Sequence, residues 1–356
     1  MPEKKNRKRS SGSKAPSIYD VAREAKVSVF TVSAVINNKT WVSAALVRRV
    51  NAAVAKLNYR PNLLARSLAK HQTHTIGMVV TDIANPFFPA IVRAAEDAAQ
   101  KAGYSVLLCN SDDKKEKESL YLDLLISKRV DGIILNKTPG ELSASQRKML
   151  SDAQIPVALL MRSCPNLKAD IVQTDDEKGA HDAVAHLIRN GHRRIALVGG
   201  PEHVSNAIAR RHGYRKALEE AGLTIDPSLE IHGDYRIDSG HRAGLALLPL
   251  RPDAVLVTNY LMTVGFMNAA NEMGMRCPDD FGLVSFDDYP WLGCFTPRLT
   301  TIELPKYELG ETAVNLLLDR IQGEKGRPRT VTLQPQLRVR DSCGFLRVIH
   351  KVTTHA

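Results

Sequence analysis

The residues best placed to do chemistry lie near the N-terminus, and the chemistry is contact with a nucleic acid. In residues 18–37, IYDVAREAKVSVFTVSAVIN, two apolar patterns of helical period flank a tight turn. The first helix is expected over about Ile18–Ala25, with Ser17 as its cap and Asp20 and Glu24 suited to its N-terminal dipole. The second starts after Ser28 and runs to about Ile36. Val32, Val35 and Ile36 fall at i, i+3 and i+4 and point inward, which leaves Val29, Phe30, Ser33 and Ala34 outward. This is the sequence shape of a helix-turn-helix, whose second helix enters a DNA major groove.

Charge sharpens the pattern. Residues 1–75 hold fifteen Lys and Arg against Glu3, Asp20 and Glu24, a balance of +12. The remaining 34 bases and 35 acids nearly cancel, so all of the formal +11 sits in the first fifth of the chain. A basic module on a neutral body is the footprint of a nucleic-acid reader attached to something else.

The elements that hold this motif follow from the flanking residues. Residues 1–16 read as a disordered basic tail. A third helix is expected from about Ser43 to Leu57, carrying Val47, Val50, Val54 and Leu57, so residues 17–60 form a small helical unit with a small core. Pro61 can open a short helix in PNLLARSLAK; alone it is unstable in water and needs a partner copy or DNA to hold it. Residues 61–72 are read as a short helical linker.

From His74 onward the texture changes. TIGMVV, YSVLL, VDGIIL, PVALL, RIALVGG, AVLV and FGLVSF are short apolar runs that read as buried parallel strands, and each except PVALL precedes an amphipathic segment of helical length. The alternation predicts a doubly wound α/β body with parallel sheets, and about 270 residues favour two lobes. Ligands in such sheets bind beyond the carboxyl ends of the strands. The loops to watch are TDIANPFF, LMRSC, GGPEHVSNAIAR, TNY and SFDDYPW.

Several classes are excluded. No apolar run approaches a membrane span, and KKNRKR without an apolar segment behind it is no secretory signal, so a cytoplasmic location is expected. The cysteines (109, 164, 277, 294 and 343) are odd in number and form no C-x-x-C, which predicts buried free thiols rather than a disulfide framework or a zinc site. No nucleophile elbow, metalloprotease helix or phosphate-binding loop is present, so neither an enzyme nor a cofactor is expected. Asp287 and Asp288 are adjacent but lack a wider ligand cluster; one is expected to face a ligand and the other to be structural, with no metal.

The stretch YDVAREAKVSVFTVSAVINNKTWVSAALVRRVNAAVAKLNYRPNLLARSLA resembles the DNA-binding headpiece and hinge of the lac-repressor/purine-repressor family of bacterial transcription regulators. The resemblance continues in order through IGMVVTDIANPFF, VDGIIL, HLIRNGHRRIALVGGP, RRHGYRKALEEAG, GDYRIDSGHRAG, CPDDFGLVSFDD and TPRLTTI. It implies an all-α headpiece and hinge helix joined to a two-lobed body of the periplasmic-binding-protein fold, a homodimer on a near-palindromic operator, and a small-molecule effector, a sugar or sugar derivative, in the cleft. The effector-binding and dimerisation domain is expected over 73–342, with a first lobe of about 73–161 plus 291–322, a second of about 162–290 plus 323–342, and a tail at 343–356. That tail shows no heptad repeat, so no C-terminal coiled coil is expected.

The resemblance places base reading on Val29, Phe30 and Ala34. All three are apolar here, so they can meet a thymine methyl but cannot donate to base edges. It places backbone contacts on Ser28, Thr31, Ser33, Asn37, Ser43, Tyr59 and Asn62, which suit phosphate oxygens. Ser28 can also cap its helix. Lys26 replaces a glycine common before the turn. Leu68 matches the hinge leucine that wedges into the minor groove, with Ala65 and Arg66 beside it in A-R-S-L-A. In the cleft the resemblance points to Phe87 and Phe88 as one wall and to Arg210, Tyr235, Asn259 and Asp287 as polar and stacking contacts. Met161 and Tyr260 depart from the pattern where an aspartate and N-D are usual. Arg162 beside Met161, with Arg210, suggests an anionic ligand such as a sugar acid or phosphorylated sugar. The rival reading is a solute-binding module or α/β enzyme with a basic, non-specific appendage.

Overall fold

The computed structural model describes residues 16–37, 39–59, 72–294 and 296–344. The chain divides into two units between Thr73 and His74. The first contains α1 (Ile18–Ala25), α2 (Val29–Ile36) and α3 (Ala44–Lys56). Val21, Ala22, Ala25, Val32, Val35, Val50, Ala53 and Tyr59 form its core. The Asp20 carboxylate closes the start of α1 by accepting from the Ser17 N–H at 2.9 Å and the Ser17 hydroxyl at 2.7 Å. Ser28 caps α2 by accepting from the Thr31 N–H at 3.1 Å.

The turn between α1 and α2 carries a strain the sequence motif hints at. Lys26 has φ 50°, a left-handed conformation that a side chain disfavours and glycine tolerates. Arg49 holds the turn by donating to the carbonyls of Ala25 at 2.7 Å and Lys26 at 3.0 Å. Lys26→Gly should therefore raise headpiece stability by about 0.5–1 kcal/mol, the relief exceeding the added freedom of the unfolded chain. It should also lower the salt slope of DNA binding by about 1 if Lys26 meets a phosphate. Headpiece melting and a salt titration of the full chain read the two effects separately.

The second unit is built on two six-stranded sheets. In chain order its elements are β1 (Thr75–Val80), α4 (Phe87–Lys101), β2 (Ser105–Asn110), α5 (Lys115–Ser127), β3 (Gly132–Leu135), α6 (Ala144–Asp152), β4 (Val157–Leu160), β5 (Asp170–Thr174) and α7 (Asp176–Arg189). Next come β6 (Ile195–Gly199), α8 (Ser205–Glu220), β7 (Glu230–His232), α9 (Ile237–Leu247), β8 (Ala254–Val257), α10 (Tyr260–Glu272) and β9 (Gly282–Phe286). The unit closes with β10 (Thr300–Glu303), α11 (Lys306–Ile321), β11 (Thr330–Leu333) and β12 (Gln336–Arg338). The first sheet has the order β11-β5-β4-β3-β1-β2 and is wholly parallel. The second has the order β12-β10-β9-β8-β6-β7, parallel except where β12 runs against β10. No helix among the described residues is long and apolar enough to cross a membrane.

The lobe boundaries differ from the sequence expectation. β5 and β11 extend the first sheet, although they fall in segments assigned to the second lobe, and β10 joins the second sheet rather than the first. DIVQT, TTIE and TVTL are short and half polar, so no apolar run marks them. The chain thus crosses between lobes after β5, after β10 and after β11. YSVLL is an edge strand, half-buried rather than fully buried. Cys343 is buried in the core, so the body extends past the expected start of the tail. Cys294 is exposed, against the expectation of buried thiols; the other four cysteines are buried.

Charge fastens β5 to α11 and to the start of β11 within the first lobe. Asp170, at the start of β5, is buried and accepts from Arg320 of α11 at 2.6 Å and from Arg329, just before β11, at 2.7 Å. Burial alone would raise its carboxyl; the two guanidiniums outweigh that and hold it at about 2, below the usual 3.8. A depressed acid stabilises the fold above its unfolded pKa and loses that contribution as pH falls through its folded value. The body should lose about 2 kcal/mol between pH 4 and pH 2 from this group. Asp170→Asn should flatten that part of a stability-against-pH curve.

Candidate functional site: a DNA-reading helix and an interlobe cleft

In the headpiece, the three residues expected to read bases are not equivalent. Phe30 is 71% exposed at the start of α2. Val29 is half-buried and packs against the headpiece core. Ala34 is 5% exposed, so it does not belong to the outward face. The inward stripe of α2 is wider than the i, i+3, i+4 count suggested, because the chain after the helix folds back and the Lys39 N–H bonds the Ala34 carbonyl at 3.0 Å. The exposed apolar surface is instead supplied by Trp41, which sequence reasoning missed. It is 58% exposed and stacks on Phe30, with ring centroids 5.4 Å apart and 21° between planes.

Among the residues expected at the DNA backbone, Ser28 and Ser43 are exposed, and Thr31, Ser33 and Asn37 are half-buried. The Asn37 amide donates to the Ser33 carbonyl at 2.7 Å, ending α2. Tyr59 is buried in the headpiece core, so its ring serves packing. Asn62, Ala65, Arg66 and Leu68 lie outside the described residues.

In the body, the carboxyl ends of strands from both sheets face one cleft of about 680 Å³, its mouth included. All seven residues expected around an effector line it: Phe87, Phe88, Arg162, Arg210, Tyr235, Asn259 and Asp287. Phe87 and Phe88 open α4, placed by Asn85, whose side chain accepts from the Phe87 N–H at 3.0 Å; their rings meet edge to face at 5.3 Å. Asn259 caps α10 by accepting from the Met262 N–H at 3.1 Å, which commits its oxygen and leaves its amide nitrogen as the donor available to the cleft. Met161, Tyr235 and Asp287 all carry left-handed backbone, at φ 63°, 65° and 73°. Side-chain residues held there cluster at ligand sites, where surrounding structure over-determines them.

The two arginines are each neutralised. Arg210 is buried, and its Nη2 lies 2.6 Å from the Asp176 carboxylate and its Nη1 2.5 Å from the Thr258 carbonyl, over the Phe286 ring. Burial opposes its charge, but Asp176 and Asp287 outweigh that and raise its pKa. Three of its five N–H groups are engaged within the protein, which leaves two for a ligand. Arg162 is held by Asp113 at 2.7 and 3.2 Å and donates to the Lys137 carbonyl at 3.0 Å. Burial pushes the Tyr235 hydroxyl up to about 12, so it stays protonated.

Sequence reasoning also missed acids. Asp82, Asp112, Asp113 and Asp234 line the cleft with Asp287, against Arg162, Arg210 and Arg236. Two of these, Asp112 and Asp113, follow β2, and the strand-then-SDD run was the available signal. The expectation of an anionic ligand rested on Arg162 and Arg210 as free positive charge. Both are paired, and Asp113 and Asp112 are in turn spent on Arg162 and Lys117; the remaining Asp82, Asp234 and Asp287 outnumber Arg236, so the cleft disfavours an anion. Asp288 points away from the cleft into a two-pronged pair with Arg340 at 2.7 and 2.9 Å.

A basic helix-turn-helix unit and a two-sheet body with a polar interlobe cleft define a ligand-controlled DNA-binding regulator. Residues 17–62 match the bacterial regulatory proteins of the lacI family, and residues 184–343 match the periplasmic binding protein-like domain. The ribose operon repressor of Escherichia coli (strain K12) is 39% identical over 325 residues, covering 91% of this chain and 98% of that protein. The lac repressor dimer bound to operator and the anti-inducer ONPF superimposes with a TM-score of 0.82 at 32% identity, covering 93% of this chain and 99% of that one. A LacI family regulator from Enterococcus faecium with bound ribose gives 0.68 at 31% identity, covering 75% and 98%. The chain belongs to the lacI family and is a transcriptional repressor whose DNA binding is controlled by a small molecule.

Proposed function

We propose that the effector is a neutral sugar of pentose size and that it binds between Phe87 and Phe88 of the first lobe and Arg210, Asn259 and Asp287 of the second. The carrying observation is the charge balance of the cleft: with both arginines paired, Asp287 is the acceptor for ligand hydroxyls and Arg210 supplies two donors. Aromatic walls suit the C–H faces of a sugar ring. The relatives named for ribose fit this chemistry. A ligand that touches both lobes favours one lobe arrangement and shifts DNA affinity only by that preference. Titrating the full chain with D-ribose and with D-ribose 5-phosphate tests the reading. Ribose should bind and the phosphate should not; the reverse order would overturn it.

The chain acts as a homodimer in the cytoplasm on a near-palindromic operator, with Val29 and Phe30 near the bases and the hinge of Ala65, Arg66 and Leu68 in the minor groove. The basic headpiece and the apolar second helix support this. Leu68→Ala should leave the melting of both units unchanged and weaken operator binding by at least tenfold, because a lost wedge forfeits the bent duplex. Equal affinity of the two proteins for a selected operator would remove Leu68 from the site.

A further inference from the structure

We infer that Trp41 is a specificity residue: with Phe30 it forms one apolar plate that packs on a thymine methyl in the operator major groove. This rests on the reading of the headpiece as a sequence-specific DNA reader. Neither ring belongs to the headpiece core, although both are large and apolar. They lie side by side, 71% and 58% exposed, one at the start of α2 and the other in the turn before α3. An exposed apolar patch on so small a unit marks a binding surface.

Charge selects the occupant. Asp20 and Glu24 are paired with Arg23 and Lys56, whereas Lys26, Lys39 and Arg48 make no ion pair with another described residue. The described headpiece that carries the plate is thus net positive and suits a polyanion. On the floor of a major groove the apolar feature of a base edge is the thymine C5 methyl. With Ala34 buried and Val29 half-buried, the apolar reading expected of three residues on α2 passes to Phe30 and Trp41. Trp41 lies outside the helix, which is why a helical-face count does not reach it.

The test uses the full-length chain and an operator selected from random duplex. Each thymine is replaced in turn by deoxyuridine, which deletes only the methyl, and binding is followed by fluorescence anisotropy at fixed salt. One position per half-site should weaken wild-type binding about fourfold, the value of one buried methyl-sized group. In Trp41→Ala the intact operator should bind more weakly, the deoxyuridine effect at that position should shrink toward onefold, and effects elsewhere should persist. Trp41→Phe, which keeps a ring, should retain part of the methyl effect, and both variants should melt like the wild type. An undiminished methyl effect in Trp41→Ala would overturn the inference while leaving specific DNA binding intact. So would a loss that is equal on operator and random DNA, or a Trp41-dependent change in self-association without DNA. Failure of the wild type to select any operator would instead overturn the reading on which the inference rests.

Discussion

Replacing Arg210 with methionine should abolish the response to effector and lower the stability of the body by about 3–5 kcal/mol, because it leaves Asp176 as a buried, unpaired charge. Asp176 is buried at the start of α7 and keeps only the Thr174 hydroxyl at 3.1 Å once the guanidinium is gone. Arg210 also ties α8 to the end of β8 through the Thr258 carbonyl, so its loss disturbs the loop that carries Asn259. The pH dependence identifies the cause. Burial is the largest influence on Asp176 and pushes its carboxyl up. Without Arg210 only the Thr174 hydroxyl opposes that push, and an acid whose folded pKa is raised loses stability as pH rises through its unfolded value. The deficit of Arg210→Met should therefore be smallest in acid and grow toward neutrality. Asp287→Asn is the contrasting variant: it should lose most effector affinity, yet melt close to the wild type. Unfolding curves and effector titrations separate the two. A deficit in Arg210→Met below about 1 kcal/mol at every pH would show that Asp176 is solvated, not buried.

What the sequence disclosed and what it hid follow from how each feature is encoded. α1 and α2 were legible because each couples a cap to an apolar period, and α3 through its apolar period alone. β1, β3, β4, β6, β8 and β9 were legible because a strand covered on both faces must be apolar throughout. β5, β10, β11 and β12 were not, because they are short, partly polar, and gain their place from pairing with distant strands. The three crossovers between lobes depend on those strands, so the lobe boundaries were misplaced with them. The cleft residues were legible through ordered resemblance and strand-end position, but their charge state was not. Arg162 and Arg210 look like free cations in a sequence; only their distances to Asp113 and Asp176 reveal that they are spent on neighbours. Ala34 and Trp41 form a similar pair. One lies on the expected face and is buried; the other lies off the helix and is exposed. The fold-back after α2 that exchanges them has no local signature.

Glu118 and Lys137 carry the second large effect. They are 2% and 1% exposed, α5 supplies one and the turn after β3 the other, and Nζ lies 3.5 Å from the carboxylate. Glu118 also accepts from the Thr138 N–H at 2.6 Å, and the Lys137 ammonium donates to the Thr138 carbonyl at 2.8 Å. Neither charge reaches water, so removing one strands the other. Lys137→Met alone, or Glu118→Gln alone, should cost about 3–5 kcal/mol. The double variant should be more stable than either single one, since no charge is then buried and Gln still offers an oxygen to the Thr138 N–H. The pair also bears on the cleft, because the Lys137 carbonyl is the acceptor that seats Arg162. Each single variant should therefore weaken effector binding as well as unfold more readily, and the double variant should recover both. Urea unfolding of the four proteins measures the coupling. Strictly additive losses would mean that the two side chains do not depend on each other, and that the turn after β3 is held by its backbone bonds alone.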